Sequence, residues 1–175
     1  MLQTLIVSIL CKDRPGITKQ FAQPISLYGG NWLESQLVQM AGKFAGVIRV
    51  GVPSEQAKTL EKALLALSGT GVQIQIDHAE QAANSTTENL AQFSLAGPDR
   101  KGIVFEISQA FAEHQINIES LNTHCSSMPY SGDPLFEADG TISVPQNIDI
   151  DELQEQLLSI ADQLGVDVQL THNTP

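Results

Sequence analysis

The chain has 175 residues, 42% apolar and 17% charged, which suits one medium domain or two small ones and is too apolar for a disordered protein. No apolar run approaches the ~20 residues that span a bilayer, and the opening MLQTLIVSIL lacks the basic segment and cleavage site of a secretory leader, so a cytoplasmic, non-membrane protein is expected. Net charge is −11: residues 1–101 hold all nine Lys and Arg against eight acidic residues, while the remainder has no basic residue and 12 acidic ones, a distribution that argues against direct nucleic-acid binding by the second half.

In chain order, TLIVSIL (4–10) reads as a strand and runs into CKDRPGI (11–17). Ile17, Phe21 and Ile25 then follow at helical spacing, with Pro24 predicting a kink or an early stop. Asn31 opens the extended stretch NWLESQLVQM. After Pro53-Ser54 a second helix carries Leu60, Leu64 and Leu67, and VQIQID (72–77) alternates as a strand. Residues 80–89, EQAANSTTEN, have the small polar composition of a linker.

The same order then recurs. LAQFSLA (90–96) is followed by GPDRKGI (97–103), and at an offset of 86 Ile103, Ile107, Phe111 and Asn117 match Ile17, Phe21, Ile25 and Asn31. Leu153, Leu157 and Ile160 match the second helical stripe at 93, and Gly165, Val166, Val168 and Leu170 match Gly71, Val72, Ile74 and Ile76 at 94. The offset grows where the second copy carries MPYSGDP (128–134), a turn-rich insertion. Asp149 and Glu152 have capping-box spacing, and Gly165 sits where a helix end wants positive φ. The expected fold is α+β, two ferredoxin-like βαββαβ sandwiches in tandem: 1–79, a linker at 80–89, and 90–175.

The doubled loop is the candidate site. A helix start offers unpaired N–H groups and partial positive charge, a seat for a carboxylate. Gly16 and Gly102 leave room for close approach to the main chain. Asp13 or Asp99 can accept from an α-ammonium group, and the Asn31 or Asn117 amide both donates and accepts. The competing reading is structural: Asp as helix N-cap, Pro15 in the first turn, glycine for the turn alone. Arg14, Arg100 and Lys101 fit capping less well, because cations oppose the helix dipole there. Lys101 in place of Pro15 makes the second loop less rigid, and the two sites need not be equivalent.

A βαββαβ module with D-R-x-G-I after its first strand resembles the ACT domain, and two such modules account for nearly the whole chain. Among two-module chains it is similar to the family of glycine cleavage system transcriptional repressors. The resemblance implies an amino-acid-sensing regulatory protein, not an enzyme, with no cofactor and no catalytic or metal residues. It implies ligand contacts from Asp13, Arg14, Gly16, Ile17 and Asn31, and from Asp99, Arg100, Gly102, Ile103 and Asn117. It also implies glycine as the signal and a DNA-binding activator protein as partner, with no direct contact to nucleic acid. The alternative is a regulatory subunit of an amino-acid metabolic enzyme. The second face of each sheet needs covering, which side-by-side sheets within the chain, or between two chains in a homodimer, would provide.

Other residues carry less. Cys11 and Cys125 form no CxxC pair, so neither a disulfide framework nor a zinc site is indicated. His124-Cys125 lacks nearby partners for a nucleophile or a metal set, leaving a small enzyme as the third reading. His114 suits a helix C-terminus, and Trp32 suits core or interface. The acidity of the second half is either a solvated surface or a face for a basic partner.

Overall fold

The computed structural model describes residues 1–79, 89–144 and 150–171. Two compact units divide at Ala83–Asn84. The expected linker therefore lies, apart from Asn89, outside the described residues, as does Asp149 of the expected capping box.

The first unit runs β1 (Leu2–Lys12), α1 (Ile17–Leu27), β2 (Asn31–Met40), β3 (Lys43–Pro53), α2 (Ser54–Ala66) and β4 (Gln73–His78). The second repeats the order as β5 (Asn89–Pro98), α3 (Ile103–Glu113), β6 (Asn117–Ser127), β7 (Pro134–Val144), α4 (Ile150–Leu164) and β8 (Asp167–Thr171). Each unit is a four-stranded sheet, ordered β2-β3-β1-β4 and β6-β7-β5-β8. The pairings β1–β3, β1–β4 and β2–β3 are antiparallel, as are their counterparts. These are two tandem ferredoxin-like βαββαβ domains.

Strand alternation sends one set of side chains to the helices. In the first unit Leu5, Val7, Ile48, Val50 and Val52 meet Phe21, Leu60 and Leu64, all fully buried. In the second, Phe93, Ile142 and Leu95 meet Phe111, Leu153 and Leu157. The Phe93 and Phe111 rings meet edge to face at 5.3 Å. Each such side chain contributes about 1.5–3 kcal/mol by leaving water. The duplication extends to an irregularity: the β2–β3 register slips between Trp32 and Glu34, and β6–β7 slips between Ile118 and Ser120.

Three local expectations change. α1 passes through Pro24 to Leu27, as far as α3 runs without a proline, because packing of Ile17, Phe21 and Ile25 outweighs one lost backbone bond. Leu67 leaves α2 and opens a 3-10 turn, Leu67–Thr70, in which the Thr70 hydroxyl donates to the Leu67 carbonyl at 2.7 Å. Ser68, Gly69 and Thr70 are poor helix formers, which favours this tighter ending. Neither Asp13 nor Asp99 caps a helix.

Candidate functional site

The two loops are built alike. Gly16 and Gly102 are the residues immediately before α1 and α3, both left-handed, at φ 83° and 89°. Neither helix has a side-chain N-cap bond, which sets aside the capping reading of Asp13 and Asp99. Their backbone N–H groups instead donate across the sheet end, Asp13 to the Gly42 carbonyl and Asp99 to the Pro134 carbonyl, both at 3.0 Å. Gly42 belongs to the tight β2–β3 hairpin, and Pro134 closes the insertion and opens β7. Each loop is thereby pinned to the neighbouring strand connection, and the two aspartate carboxylates are left exposed.

A Cβ on Gly16 or Gly102 would meet nothing within 4 Å. The space beside the main chain is open there, and positive φ alone is sufficient reason for the glycine. Ile17 and Ile103 point inward, 4% and 3% exposed, and anchor each helix start to its core. They shape the loop from beneath.

The arginines show what spacing did not. Arg14 Nη2 donates to Gln20 Oε1 at 2.8 Å. In the second copy Arg100 Nη1 pairs with Glu106 Oε2, and Nη2 donates to the Leu164 carbonyl at 2.9 Å, at the last residue of α4. Gln20 and Glu106 were missed by sequence reasoning, although the offset of 86 that aligns the loops also aligns them.

Asn31 and Asn117 are not brought to the loop of their own module. Asn31 pairs with Gly51, which pairs with Thr4 near the start of β1, whereas the loop follows Lys12 at its end. Asn117 pairs with Ser143 opposite Leu90, and the second loop follows Pro98. At ~3.3 Å per residue the separation along the sheet is about 25 Å, beyond the reach of one amino acid. The topology contained this signal, since β2 must start beside the start of β1. The Asn117 amide donates to Glu119 Oε1 at 2.5 Å, and the buried Ser143 hydroxyl donates to the same oxygen at 2.8 Å.

The sheet faces away from the helices have diverged. In the first module a depression of about 260 Å³ is lined by Ile6, Val47, Gln36 and the Glu34–Arg49 ion pair, 2.8 Å apart. The second module has a depression of about 240 Å³ on the same face but further along the sheet and reaching β8, lined by His124, Glu137, Asp139 and Asp167. Glu137 Oε2 takes the His124 imidazole at 3.0 Å and the Ser126 hydroxyl at 2.7 Å. Among the described residues no cluster of His, Cys, Asp and Glu suited to a metal ion is present, and no helix is long and apolar enough to cross a membrane.

Two βαββαβ modules, each with a glycine-bearing, arginine-bearing loop between first strand and first helix, define a tandem ferredoxin-like protein. ACT-domain models match residues 3–77 and 93–162, and the chain belongs to the ACT-domain family. ACT modules are regulatory and non-catalytic, and this chain has an ACT-domain regulatory role in amino-acid and metabolite sensing. An unknown protein from Galdieria sulphuraria superposes with a TM-score of 0.82 at 26% identity, over 97% of this chain and 98% of that one. A protein assigned as a glycine cleavage system transcriptional repressor gives 0.72 at 19% identity, over 98% of this chain and 97% of its own. Comparison with curated proteins gives no match.

Proposed function

We propose that the chain senses an amino acid at its β1–α1 type loops and passes that state to a protein partner. The observation that carries this reading is the doubled loop, in which open space beside a left-handed glycine adjoins a helix start and an arginine. A zwitterion finds there N–H groups and a guanidinium for its carboxylate and Asp13 or Asp99 for its ammonium group. Asn31 or Asn117 lies too far along the sheet to join the site of its own module. Residues 1–79 and 90–175 are proposed as the two sensing domains, and a homodimer as the assembly that supplies the second wall.

Membership in the ACT-domain family favours a partner within amino-acid metabolism, with the chain as regulatory subunit of a metabolic enzyme. The narrower reading is repression of glycine cleavage genes with glycine as signal, acting in the cytoplasm through a DNA-binding activator. The full-length fold shared with the assigned glycine cleavage repressor supports it. Crosslinked capture of the protein from its own cells, with and without added glycine, separates the two. Recovery of a metabolic enzyme supports the subunit reading, and recovery of a DNA-binding protein supports the transcriptional one. Capture of neither in either condition would overturn action through a partner.

A further inference from the structure

We infer that the two loops are unequal sensors: an internal carboxylate, Glu106, occupies the guanidinium of the second loop and leaves the first as the working carboxylate-binding site. The inference rests on the amino-acid-sensing reading above and specifies which copy performs it. Gln20 and Glu106 hold the same place, four residues past the glycine, and their backbone N–H groups donate to the Gly16 and Gly102 carbonyls at 3.3 and 3.0 Å. Their chemistry differs. In the first module the arginine's contact is a neutral amide, and the first turn of α1 has no acidic residue. Among the described residues no carboxylate lies within ion-pair distance of Arg14.

In the second module the same position is a carboxylate in the first turn of α3, already on Arg100. The other arm of that guanidinium is taken up by the end of α4. The formal charge reflects this difference. Lys12–Gln20 contains three basic residues and one acidic residue, +2, while the equivalent Pro98–Glu106 contains two of each, zero, even with Lys101 included.

An arriving carboxylate displaces only an amide from Arg14, but must displace a tethered carboxylate from Arg100 and then sit beside it. Losing an exposed ion pair accounts for at most about fivefold in affinity. Repulsion between two carboxylates at one helix start adds a comparable factor, so the loops should differ by roughly tenfold.

Glu106→Gln and Gln20→Glu exchange the two chemistries at half-exposed positions. Calorimetric titration of the full chain with each standard amino acid, fold being checked by circular dichroism, reads the result. The wild type should bind one equivalent tightly. E106Q should bind two of similar strength, and Q20E should lose about tenfold at the tight site. Two equal sites in the wild type, or swaps that leave number and strength unchanged, would overturn the inequality while leaving the sensor reading in place. Binding of no amino acid by the wild type would overturn both.

Discussion

Cys11 ends the buried face of β1, 5% exposed, two residues before the first loop aspartate. Burial pushes its thiol up from the ordinary range, Arg14 and Lys43 pull it part of the way back, and Asp13 reinforces the rise. A raised folded-state value means that the unfolded chain releases this proton first. Stability from this group is therefore fully present below the ordinary thiol pKa and is lost as pH rises from there through the raised folded value. Cys125 is exposed on β6. A chromogenic disulfide reagent at mildly alkaline pH should titrate Cys125 at once and Cys11 only after denaturant is added; two fast thiols would contradict the burial. At Gly102 open space removes any steric cost, so Gly102→Ala should destabilise by about 1–2 kcal/mol through the left-handed backbone alone. Chemical denaturation checks this, and a neutral variant would show that the turn does not hold its observed φ.

At the scale of elements, the apolar stripes are the determinant. Phe111 is fully buried in α3 and also meets the Phe93 ring, so Phe111→Ala should cost about 3–5 kcal/mol. Denaturant midpoints with an unchanged slope would establish it, and a loss under about 1 kcal/mol would show that the core of the second module collapses around the gap. Stripes of this kind were legible in the sequence because helical spacing at Ile103, Ile107 and Phe111 has no other economical burial. The loop was legible as a place and illegible as a mechanism. That Asp13 ties its N–H to Gly42, or Arg100 reaches Leu164, depends on elements 29 and 64 residues away, brought near only by the tertiary fold. The early stop offered at Pro24 does not occur, because the three side chains that hold the helix down outweigh a local breaker. Within its own module the parallel sense of β1 and β2 sends Asn31 to the end of the sheet far from the loop.

At the scale of the molecule, charge sets the partner. The second module has Arg100 and Lys101 as its only basic residues, and Arg100 is already engaged. Phosphate binding needs several cations on one surface, and a net charge of −11 repels the duplex. Purified protein should therefore fail to retard DNA at low salt, and tight, salt-sensitive retardation by the protein alone would contradict the account. The most direct measurement of its central claim is thermal unfolding of the full chain in the presence of each standard amino acid. One of them, glycine first, should raise the melting temperature; at about a hundredfold excess over its Kd the stabilisation should be about 2.7 kcal/mol. A melting temperature unmoved by every amino acid at millimolar concentration would contradict it.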